Sequence, residues 1–429
     1  MSGKSVFKGL LALSPIAVLL TVYLGGSLLV GDFYRIPITV AFLIASLYAV
    51  AVSRGESLAK KIDSFSEGAA NSRVMLMVWI FVLAGVFASV AKSMGAVEAT
   101  VNFTLHLVPP EFLPAGIFIA TCFISMSIGT SVGTIVALTP VVTELATQTG
   151  GSVAWFVGIV VGGAFFGDNL SFISDTTIAA TQTQGCSMHS KFRANFKLVL
   201  PAAMVVLLFY LFNGANFTTA VPVVSGDDFV KIIPYIVVIV AALFGVNVLL
   251  VIVIGIVAAA TIGLCYNCFD IIGLFESCGS GVAGMSDLIL VTMLAGGLLE
   301  IVRLNGGIDF VIHLITSRIN SCRVAEAAIV LLTALANVCT ANNTIAILTV
   351  GGISRDIARK FNISSRRSAS LLDTSSCFVQ GLLPYGAQLL MASGLAKISP
   401  LQIIPNLYYP MCVGAILVIS ILFRKRNKK

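Results

Sequence analysis

Long apolar stretches recur along the whole chain and are separated by short polar segments. They cover residues 10–30, 36–52, 74–93, 112–147 and 196–213, then 230–244, 248–264, 288–303, 326–358 and 404–423. About 20 apolar residues make one helical crossing of a bilayer. The stretches are continuous rather than alternating, which argues against a transmembrane β-barrel. The pattern therefore predicts an all-α polytopic membrane protein.

Two of these stretches are too long for one plain helix and are interrupted by small and polar residues. The interruptions lie at 125–134 and at 339–344. Glycine and hydroxyl residues there can break a helix and leave backbone groups facing a cavity. Two further stretches, 153–182 and 368–395, are interpreted as re-entrant hairpins. Each half of the chain is thus predicted to contain one broken helix and one re-entrant hairpin.

The two halves match when the first is shifted by 211 positions. Residues 83–85 then fall on the identical residues 294–296, and Gly95 falls on Gly306. We predict two repeats, residues 1–215 and 216–429, within one integrated membrane domain. Each repeat has about five crossings by this count. Because five is odd, the repeats are expected to be inverted relative to each other in the membrane.

Charge is scarce and its placement predicts an orientation. Only 10% of the residues are charged against 58% hydrophobic, the net charge is +7, and the mean hydropathy is +1.01. The positive charge concentrates in loops and at both termini, which predicts cytoplasmic termini in a cell inner membrane rather than a nucleic-acid surface. One segment breaks the rule, since this topology places the basic residues of 355–367 outside. The nine cysteines lack zinc-site spacing and are interpreted as small buried hydrophobes, so no cofactor is expected.

The stretch 167–177, Gly-Asp-Asn-Leu-Ser-Phe-Ile-Ser-Asp-Thr-Thr, places two carboxylates in this apolar chain. An acid taken from water into a membrane needs a partner or a proton. Asp168 and Asp175 are seven residues apart, which puts them on one face if both lie on one helix. A proton and a sodium ion would then compete for one site. The alternative is that one of them, Asp175 above all, caps a helix.

Neutral oxygens near the interruptions complete the predicted site. The candidate ion- or substrate-binding residues are Asp168, Asp175, Ser171, Ser174, Thr176, Thr130, Ser131, Asn342, Asn343, Thr344 and Asp373. Asp168, Asp175, Thr130 and Ser131 form the hypothetical sodium shell. Asp373 is placed as the counterpart of Asp168, allowing a six-residue deletion from the 211 shift. Gln380, Tyr385 and Gln388 are candidates for hydrogen bonds to an organic substrate, with packing as the alternative.

The stretch 167–177 resembles the signature of the NhaC-type sodium/proton antiporter family, approximately Gly-Asp-Lys-x-Ser-Pro-x-Ser-Asp-Thr-Thr. The small residues at 162–164 and Gly-Thr-Ser at 129–131 are similar to the same family. The resemblance implies the ion transporter superfamily fold, with inverted repeats, hairpins and broken helices, often as a homodimer. Asn169 replaces the basic residue of the signature, and Phe172 replaces its proline.

The sequence therefore predicts a secondary active sodium/proton antiporter that works by alternating access. The expected partners are sodium ions, protons and the lipid bilayer. The second hypothesis is a sodium- or proton-coupled carrier of a small organic carboxylate or amino acid. An embedded enzyme is disfavoured because hydrolase, metalloprotease and phosphate-loop motifs are missing from the sequence. Repeats with broken helices favour alternating access over a channel.

Overall fold

The computed structural model describes residues 3–26, 37–53, 55, 57–172, 174–214, 224–316 and 319–424. Every regular element within these ranges is helical. The orientation prediction also counts Arg54, Arg318 and the basic residues of 425–429 as cytoplasmic, and these lie outside the described residues.

The helices follow one another closely along the chain. In the first half they are α1 (Gly3–Leu20, continued by a π-helical turn Thr21–Gly25), α2 (Ile38–Val52), α3 (Leu58–Ala69), α4 (Ser72–Ser93), α5 (Ala96–Leu107), α6 (Leu113–Ile128), α7 (Ser131–Gln148), α8 (Val153–Leu170), α9 (Asp175–Gln184) and α10 (Met188–Asn213). In the second half they are α11 (Gly226–Lys231), α12 (Ile233–Leu243), α13 (Val248–Cys265), α14 (Ile271–Ala283), α15 (Ser286–Leu304), α16 (Gly307–Thr316), α17 (Cys322–Thr340), α18 (Asn343–Lys360), α19 (Ser365–Leu382), α20 (Ala387–Ala396), α21 (Pro400–Ile403) and α22 (Tyr408–Leu422). Short 3-10 turns precede α6 and α22, at Pro110–Phe112 and Ile404–Asn406.

Many of these helices are long and apolar enough to cross a membrane. Within the described ranges eight helical spans meet this condition, two of which combine neighbouring helices (α8 with α9, α14 with α15), or nine if the bent pair Pro400–Asn406 and Tyr408–Leu422 forms one span. The span Val74–Ser93 agrees with the predicted 74–93, and Val248–Cys265 agrees with 248–264. The prediction of an all-α multi-pass membrane protein is confirmed.

Helix bounds recur at a fixed spacing in the two halves. The helices α7, α8 and α9 begin and end 212 residues before α18, α19 and α20 (for the starts of α7 and α18, 343 − 131 = 212). A contact recurs as well: Ser125 Oγ donates to the Ala164 carbonyl at 2.6 Å, and Asn337 Nδ2 donates to the Ser376 carbonyl at 2.7 Å. The spacing near the site is therefore 212 rather than 211.

The helix α6 runs alongside α8 in the same direction. Gly163 packs against Thr121, and Gly167 packs against Ser125 further along both helices. The approach is so close that a Cβ atom at position 167 would lie 2.1 Å from the Ser125 hydroxyl. Glycine is needed there because any side chain would push the two helices apart.

The helix α7 runs back along α8. Ser131 at its start contacts Asp168 near the end of α8, and only residues 149–152 separate the end of α7 from the start of α8. Since α6 is parallel and α7 antiparallel to α8, the two form a helix hairpin, here called hairpin 1. Its apex is Gly129, which has a φ of +76°, and Thr130. Equivalent contacts in the second half, from Asn337 to Ser376 and from Gln380 to Ala341, show that α17 and α18 form a second hairpin, here called hairpin 2. Its apex is Ala341, which has a φ of +49°, and Asn342.

These directions correct two sequence predictions. The interruptions at 125–134 and 339–344 are turns between antiparallel helices rather than breaks in helices that continue onward. The stretch 153–184 instead forms one 32-residue span, in which four residues separate α8 from α9. The predicted broken helix and the predicted hairpin have exchanged places. Apolar length alone could not distinguish them, because a hairpin and a long broken helix contain similar numbers of residues.

The equivalent helices α8 and α19 begin at opposite ends of the molecule. Gly158, near the start of α8, packs against Asn406 just before α22. Arg367, near the start of α19, donates to Ser420 Oγ near the end of α22 at 2.9 Å. The two helices therefore run in opposite directions.

Basic residues from distant segments meet at one end of the molecule, here called the basic end. Arg193, Lys197, Arg366, Arg367 and Arg424 line a single cavity there. The sequence-based topology placed 355–367 on the side opposite to 189–197 and the C-terminus, and this placement is wrong. The placement is wrong because the sequence analysis counted 326–358 as one crossing of the membrane. The segment is the hairpin α17–α18, which returns the chain to the end at which the hairpin begins.

Candidate functional site

Asp168 lies at the point where hairpin 1 meets the end of α8. Its side chain is buried, with 4% exposed. One carboxylate oxygen accepts a hydrogen bond from the Ser131 backbone N–H at 3.0 Å, and the other accepts from the Ser131 hydroxyl at 2.6 Å. Ser131 is the first residue of α7, so the carboxylate faces the partial positive charge of a helix N-terminus. This geometry offsets part of the cost of removing the acid from water.

Hydroxyl groups surround the interval between α8 and α9. Ser171, Ser174 and Thr176 are all buried there. The Thr176 hydroxyl lies 2.9 Å from the Ser174 hydroxyl and 3.4 Å from the Asp168 carbonyl oxygen. Of the predicted residues, Ser131 and Thr176 thus contact Asp168 directly, and Ser174 contacts Thr176.

A chain of hydrogen bonds joins the two hairpin apices. Gln388 at the start of α20 donates to the Ser131 hydroxyl at 3.0 Å. Its amide oxygen accepts from Gln380 Nε2 at 2.9 Å, and the same Nε2 lies 3.1 Å from the carbonyl oxygen of Ala341. Asp168 is therefore connected through three side chains to the apex of hairpin 2.

The predicted residues of hairpin 2 have local roles at its apex. Asn342 is the N-cap of α18 and accepts from the Ile345 N–H at 3.0 Å. The Asn343 side-chain oxygen accepts from the Thr344 N–H at 3.0 Å. Within the described residues its Nδ2 is buried without a hydrogen-bond partner. None of the three has a described contact with Asp168, and the chain through Gln388 and Gln380 ends at their neighbour Ala341.

Asp175 does not share the environment of Asp168. It is exposed in the first turn of α9, while the N-cap position belongs to Ser174. The alternative role of Asp175 as the N-cap is therefore wrong. It and Asp168 lie on different helices, which removes the argument that a seven-residue spacing places them on one helix face.

Asp373 differs from Asp168 in its position in the repeat and in its partners. The constant spacing of 212 places Gln380, not Asp373, at the position equivalent to Asp168, so the assumed six-residue deletion is absent. Asp373 is fully buried and forms an ion pair with Lys191 at 2.8 Å. The Asn195 amide donates to the same carboxylate oxygen at 2.6 Å.

Lys191 and Asn195 are functional candidates that are missing from the residues predicted from the sequence. Both donate to the Asn169 carbonyl at 2.9 Å, and Lys191 also donates to the Thr177 hydroxyl at 2.6 Å. They satisfy a carbonyl in the last turn of α8, where a cation is favourable. Their spacing of four residues, on the same face as the apolar Leu198 and Ala202, was the available signal that Lys191 points inward.

The buried acids of the described residues differ in how they are neutralised. They are Asp168, Glu326 and Asp373. Asp373 is paired with Lys191, and Glu326 is paired with Arg367 and Arg424. Asp168 has only the neutral donors of Ser131. A buried carboxylate without a cation is costly, and this cost distinguishes Asp168 from Glu326 and Asp373.

A cavity of about 840 Å³ leads to hairpin 2. Thr340, Ala341 and Asn342 lie at its inner end, and Glu300 and Arg303 line it toward the surface, where 71% of the Arg303 side chain is exposed. Because Ala341 accepts from Gln380, this cavity reaches one end of the hydrogen-bond chain that begins at Asp168.

Comparison with models of protein families shows the family to which the chain belongs. The family model of the Na+/H+ antiporter family matches residues 6–215 and again residues 216–425. The chain belongs to this family. The NhaC resemblance of residues 167–177 is thus confirmed at the level of the family.

Individual relatives are distant in sequence. The chain is 21% identical over 387 residues to the Na+/H+ antiporter NhaC of Alkalihalophilus pseudofirmus, which covers 82% of each chain. It is 21% identical over 432 residues to the malate-2H+/Na+-lactate antiporter of Bacillus subtilis, covering 92% of this chain and 91% of the relative. An uncharacterized Na+/H+ antiporter of Haemophilus influenzae is 26% identical over 209 residues, a match that spans 48% of this chain and 43% of that relative.

Proposed function

We propose that this protein exchanges sodium ions for protons and that Asp168 is the group for which the two compete. The observation that carries the proposal is the environment of Asp168, the buried acid without a cationic partner in the described part of the chain. Family membership supports the same activity.

The mechanism follows from the cost of a buried charge. With sodium bound, the ion neutralises the Asp168 carboxylate; without sodium, a proton does so. The carboxylate therefore changes its exposure to the two sides only when it is loaded with one or the other. Ser131, Thr130 and the hydroxyls of Ser174 and Thr176 would supply neutral oxygens to the sodium ion.

We further propose that the two halves are inverted repeats and that hairpins 1 and 2 are re-entrant. The opposite directions of α8 and α19 and the spacing of 212 support this arrangement. Each hairpin would enter from one side of the membrane, so that the apices meet near Asp168. Charge supports an orientation with the basic end in the cytoplasm, since all five cations of the cavity lie there. The C-terminus would then be cytoplasmic.

Transport by purified protein in proteoliposomes tests the antiport proposal. Imposed sodium gradients should drive proton movement in the wild type, and Asp168→Asn should abolish it while preserving the thermal unfolding profile. Asp175→Asn is the matched control, because it removes an exposed carboxylate seven residues away, and should retain most of the exchange. Full exchange by Asp168→Asn would refute the assignment.

A second candidate function is exchange coupled to a small organic carboxylate. The cavity of about 840 Å³ favours it, because this volume is in the usual range for an organic ligand and exceeds what a bare ion needs. The N-terminus of α18 at its inner end is favourable for an anion. Arg303 is the cation of the lining, where it is paired with Glu300 at 3.6 Å and Asp309 also lines the cavity. The malate-2H+/Na+-lactate antiporter among the relatives makes dicarboxylates the first solutes to test.

Thermal stabilisation separates the two candidates. A panel of malate, lactate, other carboxylates and amino acids would be tested with and without sodium. A sodium-dependent rise in the unfolding midpoint with one solute would support the carrier, particularly if Arg303→Gln abolished it. Stabilisation by sodium alone, with no response to any solute, would favour simple sodium/proton exchange.

A further inference from the structure

The cavity at the basic end lies where α10 of the first half meets α19 and α22 of the second. Its volume is about 670 Å³. Its charged lining residues are Arg193, Lys197, Arg366, Arg367, Arg424 and Glu326. Five cations and one acid leave a formal charge of +4 around one space. None of these groups belongs to the proposed ion site at Asp168.

The single acid that lines this cavity, Glu326, is already paired with two of the cations. Glu326 is fully buried and accepts from Arg367 at 3.1 and 3.0 Å and from Arg424. Arg193, Lys197 and Arg366 are left, within the described residues, without a carboxylate partner. Arg193 and Lys197 are also one turn apart on α10, an arrangement in which like charges repel. The cavity therefore favours an anionic ligand.

Two of the helices that line the cavity also carry exposed apolar side chains. On α10, the side chains of Phe196 and Met204 are 41% and 48% exposed, and Met204 lies on the same helix face as Arg193 and Lys197. On α22, Ile419 and Leu422 are 51% and 60% exposed. The cations thus lie where apolar helix faces begin, which is the level of the lipid headgroups in a membrane. A small soluble anion would contact the cations but not the apolar helix faces, whereas a lipid contacts both.

We propose that this cavity binds the phosphate headgroup of an anionic phospholipid, whose acyl chains lie along the exposed faces of α10 and α22. Arg193, Lys197 and Arg366 contact the phosphate, and Phe196 packs against the start of the acyl chains. Basic pockets between transmembrane helices at the cytoplasmic side bind such headgroups. Because α10 and α22 come from different halves of the chain, the lipid would stabilise their contact.

The test compares lipids of different charge on delipidated protein in detergent. Phosphatidylglycerol should raise the thermal unfolding midpoint by several degrees, and phosphatidylcholine at the same molar ratio should not. Native mass spectrometry should show retained phosphatidylglycerol on the wild type. Arg193→Gln/Arg366→Gln, with one change on each wall, should lose most of the stabilisation and the retained lipid. Neither residue pairs with Glu326, so the variant should fold.

Arg355→Gln/Arg359→Gln is the matched control, because it removes two exposed charges near the end of α18 that do not line the cavity. This variant should respond to phosphatidylglycerol like the wild type. An equal loss in both double variants would overturn the site, as would equal stabilisation of the wild type by phosphatidylcholine. Stabilisation by inorganic phosphate alone, as large as that by the lipid, would overturn the assignment to a phospholipid.

Discussion

The Asp168 carboxylate accepts two hydrogen bonds from one residue, Ser131: one from its backbone N–H at 3.0 Å and one from its hydroxyl at 2.6 Å. The acid near the end of α8 thereby holds the first residue of α7, 37 residues earlier in the chain. Any change in the charge of Asp168 acts directly on the apex of hairpin 1. Under the proposed antiport mechanism, this contact would couple ion binding at Asp168 to the position of hairpin 1.

Ser131→Ala should weaken sodium binding while leaving Asp168 in place. The change removes a hydrogen bond to a charged group, worth about 1.5–3 kcal/mol, which corresponds to about a tenfold or larger rise in the sodium KM. It also removes the acceptor of Gln388. Ser127→Ala is the control, because that hydroxyl donates only within its own helix, to the Phe123 carbonyl. Equal sodium KM values in the two variants would contradict the role of Ser131.

Competition at one carboxylate predicts the direction of the pH effect. Protons displace sodium from Asp168 as the pH falls, so the sodium KM should rise at low pH and fall toward a plateau at high pH. For one proton, the limiting slope is about tenfold per pH unit. Initial rates measured over a matrix of sodium concentrations and pH values provide the check. A sodium KM that is independent of pH would rule out a shared site.

The Lys191–Asp373 ion pair should stabilise the fold only as an intact pair. Lys191→Met leaves a buried unpaired carboxylate, which costs about 3–5 kcal/mol. The unfolding midpoint in detergent should drop sharply, and the double variant Lys191→Met/Asp373→Asn should recover much of the loss. Lys92→Met, at an exposed lysine, should leave the midpoint unchanged. A double variant no more stable than Lys191→Met would show that the charge of Asp373 is not the cause.

The hairpin apices predict opposite effects for reciprocal substitutions. Gly129 has a φ of +76°, so Gly129→Ala should destabilise the protein by about 1–2 kcal/mol. At the equivalent apex, Ala341 already has a φ of +49°, so Ala341→Gly should be neutral or slightly stabilising. Unfolding by denaturant measures both. A destabilising Ala341→Gly of the same size would argue against equivalent apices.

Side-specific labelling tests the two proposed re-entrant hairpins. Single cysteines at Asn320 and Lys360, near the two ends of hairpin 2, should react from the cytoplasmic side. Cysteines at Glu111 and Gln148, near the ends of hairpin 1, should react from the opposite side. The background would lack the native reactive cysteines. Labelling of positions 320 and 360 from opposite sides would mean that the segment crosses the membrane.

Many residues of the candidate site could be predicted from the sequence, because acidic and hydroxyl residues are conspicuous in an apolar stretch. Asp168 stood out as an acid in an apolar stretch, and Ser131, Ser171, Ser174 and Thr176 as its nearby hydroxyls. The roles of Lys191 and Asp373 were not predictable in this way. A basic residue near a loop and an acid 182 positions later look like two separate features until α10 and α19 are packed together.

The amino-acid sequence by itself determined the membrane class, the family and the existence of two matching halves. These properties depend on hydropathy, local motifs and spacing, which exist before the chain folds. The tertiary structure decided which segments are hairpins, that α8 and α19 run in opposite directions, and that 355–367 lies at the basic end. It also decided which buried acids are paired with cations. These outcomes depend on contacts between residues far apart in the chain, so Asp168, Glu326 and Asp373 could be told apart only by their neighbours in space.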